Sequence, residues 1–173
     1  MSEQSSQQES VEAEPEIHRE SMDVDVLFVG AGAASLAGAI RLMQCIQAHN
    51  ESGEGDPIQD PTIAIVEKGS EVGAHILSGA VLNPQALDEL LPDWREQAPI
   101  GPEVDDEDVT FLTENGGFNL PIVPPPMHNK GKVIVSASRL ARWLASKAEE
   151  MGVMIFPGFP AVDVLWDGDR VVG

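Results

Sequence analysis

The feature that most constrains the fold of this chain is a glycine-rich turn between an apolar segment and a helical one. Residues 24–29 are almost continuously apolar, which is typical of a buried parallel strand. Gly30 and Gly32 follow, and residues 33–48 are rich in Ala, Leu, Ile and Met, which favour a helix. A second apolar run at 62–66 completes a β-α-β unit with parallel strands. The sequence therefore predicts an α/β fold.

The turn has the spacing of a dinucleotide-binding motif and reads Gly30-Ala31-Gly32-Ala33-Ala34-Ser35. Gly30 permits the tight turn, Gly32 lets the backbone approach a pyrophosphate, and the helix N-terminus supplies N–H groups and a positive dipole end. We therefore predict that the first four residues of the turn bind the cofactor. Ser35 replaces the third glycine of the motif, which predicts looser packing of helix and strand.

An acidic residue at the end of the second strand strengthens this interpretation. Glu67 stands where a carboxylate can accept hydrogen bonds from both hydroxyls of a ribose. A 2′-phosphate would meet this carboxylate unfavourably, which argues against NADP although Lys68 follows. We include Glu67 and Lys68 among the predicted cofactor-binding residues.

The glycine turn alone does not distinguish NAD from FAD. Residues 73–80 place glycines on both sides of a short apolar stretch, and a loop of small residues lets backbone N–H groups reach a flat ring system. A capped helix at 139–151, a third strand at 153–156 and a hairpin turn at 167–169 also fit flavoproteins better than NAD dehydrogenases. The pattern favours FAD.

The rest of the chain gives weaker signals. Residues 69–126 are irregular apart from a short helix after Pro84, and residues 121–126 are expected to be extended. Cys45 is interpreted as a core residue of the first helix. Arg139 and Arg142 are candidates for the cofactor phosphates, although their spacing also suits a solvated helix face.

Charge and cysteine content exclude several classes of function. The formal net charge is −19, so no basic surface is available for nucleic acid. The single cysteine excludes a disulfide within the chain and any cluster held by several of its thiolates. An acidic N-terminal stretch, residues 1–22, lacks apolar periodicity and is predicted to be a disordered tail, which leaves residues 23–173 as the FAD/NAD(P)-binding-type domain. The tail does not resemble a signal or transit peptide.

Several longer motifs resemble the electron transfer flavoprotein–ubiquinone oxidoreductase family, from about Met22 to Gly173. The specific ones are EVGAHILSGAVL, PDW and PPPMHN, alongside the more general VDVLFVGAGAASLAGAIRL, IVEK, LPIVPPPMHNKGKVIVS and RWLASKAEEMGVMIFPGF. The family turn normally reads GAGPAG, so Ala33 and Ser35 are departures that bear on FAD affinity.

This resemblance implies a Rossmann-like FAD-binding domain of the glutathione-reductase type that is incomplete at its C-terminus. It further implies FAD, a [4Fe–4S] cluster for which this chain has no ligand set, and electron transfer from reduced electron transfer flavoprotein to ubiquinone. Ser78 and Gly79 would lie on the flavin side. Residues 73–94 would reach the membrane, and the protein would sit peripherally on the cytoplasmic side of a bacterial inner membrane, or on the mitochondrial inner membrane in a eukaryote.

Two alternatives remain open at this point. One is a FixC-like or geranylgeranyl-reductase-like flavoprotein. The other is a truncated, non-catalytic remnant, because a strand at 170–172 begins without a visible partner and the chain stops at Gly173. A protein of these residues alone is expected to be inactive in the overall reaction.

Overall fold

The β-α-β unit predicted around the glycine turn is present in the computed structural model, which describes residues 20–173. The predicted tail at 1–22 lies outside the described residues except for its last three, which are exposed. The elements in chain order are β1 Val26–Val29, α1 Ala33–Ser52, β2 Ile63–Glu67, β3 Gly79–Leu82, α2 Gln85–Leu90, α3 Trp94–Gln97, β4 Ile100–Glu103, β5 Thr110–Thr113, β6 Gly116–Asn119, a 3-10 turn Pro125–Met127, β7 Val133–Ser136, α4 Ala137–Glu150, β8 Met154–Pro157, β9 Trp166–Asp167 and β10 Arg170–Val171.

A parallel sheet with the strand order β1-β2-β8 forms the centre of the fold. The helices α1 and α4 pack together and share one core cluster with this sheet. Ile63 and Ile65 of β2 are fully buried because they alternate toward the helices, where Leu36, Ile40 and Leu144 meet them. The α/β prediction is therefore confirmed: α1 connects the parallel strands β1 and β2, and α4 leads into the third parallel strand, β8.

A second, antiparallel sheet has the order β3-β7-β4, and β5 and β6 form a separate hairpin. Residues 69–126 were predicted to be irregular apart from one short helix, so the strands β3 to β6 in this segment were missed. Each of these strands has four residues, and β4 contains Gly101 and Pro102 beside an irregular register. β3, β4 and β6 contain glycine and β4 also contains proline, which are uncommon inside strands, so the sequence gives no clear strand pattern for them.

The helix α1 differs from the prediction at its end and at its cysteine. It continues to Ser52 and stops where Gly53 takes a left-handed φ of 68°. Its buried residues are Leu36, Ala39 and Ile40, and Cys45 lies away from that stripe and is exposed. The assignment of Cys45 to the core was therefore wrong, because the first helix is covered on only one side.

The short helices after β3 belong to the core. Leu87 of α2 and Trp94 of α3 are buried, and the indole N–H of Trp94 donates to the Asp88 carboxylate over 2.9 Å. Burial of Leu87 and Trp94 removes two of the larger apolar side chains of residues 73–94 from the surface. Within residues 20–173 no helix combines the length and the apolar composition needed to cross a bilayer.

The C-terminal hairpin is present but short. The strand at 170–172 was expected to lack a partner, and it instead pairs with Trp166–Asp167 through the left-handed Gly168 turn. Before β7, Pro125–Met127 forms a 3-10 turn that overlaps the end of the segment 121–126, which was expected to be extended.

Candidate functional site

The glycine turn forms an open cradle at the start of α1. Gly30 has a φ of 87°, a backbone conformation that favours glycine, and its N–H donates to the Val66 carbonyl over 2.7 Å. A Cβ built on Gly30 or Gly32 would meet no atom within 4 Å. The missing side chains therefore leave space beside the backbone, into which a ligand can approach closely.

The N-terminus of α1 has the electrostatic properties of an anion site. Gly32 is its N-cap residue, and no side chain within residues 20–173 caps the helix. The first turn also lacks an acidic residue. The dipole of a 20-residue helix and its first N–H groups are thus available to a phosphate, so the turn fits the pyrophosphate of a dinucleotide.

The Glu67 carboxylate joins this turn to the end of β2. One oxygen, Oε2, accepts a hydrogen bond from the backbone N–H of Ala31 over 2.7 Å. The other, Oε1, accepts from the N–H of Gly69 over 2.8 Å. The predicted residues Ala31 and Glu67 are therefore in direct contact, although 36 positions separate them in the chain.

The surroundings of Glu67 keep it ionised at neutral pH. The hydrogen bond from Gly69 lowers its pKa below the ordinary value of 4.5, and the bond from Ala31 and the charges of His75 and Lys68 act in the same direction. Partial burial opposes this shift without reversing it. An anionic acceptor beside a phosphate cradle is suited to ribose hydroxyls, which donate hydrogen bonds.

The other predicted residues lie in the loop after β2, at the start of β3 and in the first turn of α4. Lys68 and Ser78 are exposed, and Gly79 opens β3 opposite Ser136 of β7. Arg139 is exposed in the first turn of α4, where its N–H donates to the Ser136 hydroxyl over 3.4 Å. Ser136 is thus the N-cap of α4.

Contacts between α4 and the loop after Glu67 were not predicted from the sequence. The Ser138 hydroxyl donates to the carbonyl of Gly73 over 2.9 Å. The Arg142 guanidinium donates to the Val72 carbonyl over 3.2 Å and to the Glu71 carboxylate over 3.0 Å. These pairs are 65 to 71 positions apart, so no local pattern reveals them, and only the four-residue spacing of the two donors places them on one helix face.

Metal ligands are absent from this part of the chain. Residues 20–173 contain no group of His, Cys, Asp or Glu side chains arranged to hold a metal ion. The site that the described residues build is an open glycine turn at the start of α1, joined to the Glu67 carboxylate.

Curated relatives carry one consistent description. The chain is 50% identical over 157 residues to "Electron transfer flavoprotein-ubiquinone oxidoreductase, mitochondrial" from Arabidopsis thaliana, which covers 90% of the chain and 23% of that protein. It is 47% identical over 160 residues to the Pseudomonas aeruginosa protein of the same description, covering 90% of the chain and 28% of the relative. The chain thus spans about a quarter of the length of these relatives. The resemblance to this family is confirmed over the matched residues.

Solved structures support the fold. The chain matches the flavin-dependent monooxygenase PieE in complex with FAD and substrate, with a TM-score of 0.60 at 18% identity over 86% of the chain and 26% of that structure. It matches a geranylgeranyl bacteriochlorophyll reductase-like protein from Thermoplasma acidophilum with a TM-score of 0.54 at 17% identity, covering 86% of the chain and 33% of that structure. At these identities the likeness shows the shared α/β fold. No protein-family model matches the chain.

Proposed function

We propose that these residues are the FAD-binding part of an enzyme that passes electrons from reduced electron transfer flavoprotein to ubiquinone. The observation that carries this proposal is the identity of 50% and 47% to oxidoreductases of that description across 90% of the chain. FAD supplies the redox chemistry, because its isoalloxazine ring accepts and releases electrons.

The chain's own residues bind and orient the cofactor. The open backbone at Gly30 and Gly32 and the uncapped start of α1 hold the pyrophosphate. Glu67 accepts hydrogen bonds from the adenosine ribose. Ser78 and Gly79 approach the flavin side, and Arg139 in the first turn of α4 offers a cation to the phosphates.

The choice of FAD over NAD is tested by equilibrium dialysis of the purified chain with each cofactor. We expect tighter binding of FAD, and a yellow protein after reconstitution. Tighter binding of NAD would contradict the proposal. A chain that binds neither cofactor would favour the non-catalytic remnant instead.

Electron delivery to quinone is expected to need more than these 173 residues. A [4Fe–4S] cluster held by four thiolates has no ligand set here, because the chain contains one cysteine. We therefore expect no quinone reduction by the chain reconstituted with FAD, iron and sulfide. Reduced electron transfer flavoprotein should drive quinone reduction in a longer protein that contains this sequence and such a cluster. Turnover by the 173 residues alone would refute this division of roles.

Peripheral contact with a membrane is part of the proposal, and the described residues offer a second candidate face besides residues 73–94. Of residues 73–94, Leu87 is buried, and of the larger apolar side chains only Leu77 and Val81 are clearly exposed. A larger exposed apolar surface lies on the β5–β6 hairpin and the segment after it, and consists of Phe111, Leu112, Phe118, Leu120, Ile122 and Met127. We propose this hairpin surface as the membrane contact of a peripheral enzyme on the bacterial inner membrane or its mitochondrial counterpart.

The geranylgeranyl-reductase-like alternative has weaker support. It rests on a shared fold at 17% identity, whereas the oxidoreductase relatives reach 50%. Geranylgeranyl-reductase activity from a longer protein containing this sequence, without quinone reduction, would reverse that preference.

A further inference from the structure

The loop between Glu67 and Gly79 is held against α4 at several points. We propose that Ser138 and Arg142 are positioning residues that fix this loop in its cofactor-binding shape before the cofactor arrives. This inference rests on the proposed FAD-binding function, because it concerns the same site.

The start of the loop is tied to the site itself. Gly69 donates its N–H to Glu67 Oε1 over 2.8 Å, and its carbonyl accepts from the N–H of Gly158 over 2.7 Å. A Cβ at Gly69 would lie 3.2 Å from the same Glu67 oxygen. Any movement of the loop at this point therefore changes the position of the ribose acceptor.

The middle of the loop rests on the N-terminal half of α4. Ser138 and Arg142 are one helical turn apart, and together they donate to two consecutive carbonyls, those of Gly73 and Val72. The side chain of Val72 is buried in the core cluster. At Gly73 the φ is 80° and a Cβ would lie 2.8 Å from the Ser138 carbonyl oxygen, so the two backbones approach as closely as glycine allows.

The end of the loop returns to the same segment of chain. Gly79 pairs with Ser136, immediately before α4. The first turns of α4 and the residue before them thus contact the loop at its middle and its end. The Arg142 guanidinium is permanently charged, and it donates to the Val72 carbonyl and to the Glu71 carboxylate at the same time. Loss of these donors is expected to free residues 70–78 while β2 and α4 keep their own hydrogen bonds.

The test compares Arg142→Met with Arg142→Lys and with Lys147→Met. Lys147 lies on the same helix and pairs with Glu150, away from the loop, so its substitution removes a cation without touching the proposed contacts. Amide hydrogen exchange is measured on the chain without FAD, together with its urea unfolding midpoint, and FAD affinity is measured separately.

We expect Arg142→Met to speed exchange in residues 70–78 about five- to tenfold and to weaken FAD binding by a similar factor. The unfolding midpoint should change no more than in Lys147→Met. Arg142→Lys should recover part of both effects, since an ammonium can reach one acceptor but lacks the guanidinium fork. The same exchange increase, of smaller size, is expected for Ser138→Ala.

Unchanged exchange in residues 70–78 would overturn the proposal, and so would faster exchange with unaltered FAD affinity. Equal effects of Arg142→Met and Lys147→Met would also overturn it, because they would indicate general loss of helix stability. If the unsubstituted chain binds no FAD, the proposed function fails, whereas the exchange experiment still decides whether Arg142 holds the loop.

Discussion

Glu67 carries two hydrogen bonds that connect the glycine turn to the loop after β2. Because the bonds from Gly69 and Ala31 lower its pKa in the folded protein, its contribution to stability is fully present above pH 4.5 and is lost as the pH falls through the folded value. The turn is therefore expected to be best ordered at neutral pH.

Replacing Glu67 with Gln should remove the pH-dependent contribution of this carboxylate to the free energy of unfolding. We expect the variant to be less stable at pH 7 by about 0.5–1 kcal/mol, a value reduced because the carboxylate is partly solvated. The difference should narrow as the pH falls through the folded pKa of Glu67, which lies below 4.5. Urea unfolding across this range is the measurement, with Glu54→Gln in an exposed loop as the control. A difference that stays constant with pH would contradict the assignment.

Glu67 should also contribute directly to FAD affinity. In Glu67→Ala the ribose hydroxyls lose a charged acceptor and the Ala31 N–H loses its partner. We expect FAD binding to weaken about tenfold or more. Titration followed by flavin fluorescence measures this, with Glu54→Ala as the matched control. A change smaller than about twofold would show that Glu67 does not contact the ribose.

At the level of secondary structure, the junction between the 70–78 loop and α4 depends on Gly73. Gly73 and Gly152 both have a positive φ, 80° and 93°. The two glycines differ in the room available for a side chain. A Cβ at Gly73 would lie 2.8 Å from the Ser138 carbonyl oxygen, whereas a Cβ at Gly152 would meet nothing within 4 Å. The pair therefore separates backbone strain from steric overlap.

We expect Gly152→Ala to lower the free energy of unfolding by about 1 kcal/mol, because a residue with a side chain must then adopt a left-handed backbone conformation. Gly73→Ala should lower the free energy of unfolding by about 2–4 kcal/mol. The new Cβ adds a clash with backbone atoms of α4, which have little room to move, to the same backbone strain. Chemical unfolding of both variants checks the difference. Equal losses would mean that α4 and the loop separate easily.

The same elements show which parts of the fold a sequence can reveal. The strands β1 and β2, and the position of Glu67 at the end of β2, were predicted because apolar runs and the turn residues that bound them are local features of the sequence. The strands β3 and β4 were missed because glycine or proline interrupts their short sequences and their pairing with β7 joins positions far apart. Cys45 was misplaced because helix composition indicates a helix but does not show which side is covered. The contacts of Arg142 were missed because they also join positions that are far apart in the chain.

At the scale of the whole molecule, the exposed apolar side chains are unevenly distributed over residues 20–173. Between Val109 and Met127 the sequence has one charged residue, Glu114, although the net charge of the chain is −19. Phe111 and Phe118 face each other across the β5–β6 hairpin with ring centroids 5.5 Å apart, and both are more than half exposed. Such a pair on a projecting hairpin is the arrangement expected of a surface that enters an apolar medium.

We therefore expect the chain to bind neutral phosphatidylcholine vesicles through this hairpin. Anionic vesicles should bind it more weakly, because a surface of −19 is repelled by anionic headgroups. The double variant Phe111→Ser/Phe118→Ser should weaken partition to neutral vesicles about fivefold or more, since it removes two half-exposed aromatic rings from the contact. The matched control is Val162→Ser, which alters a valine that is 90% exposed outside the hairpin. Vesicle flotation measures all three proteins, and equal flotation of the double variant and the control would place the membrane contact elsewhere.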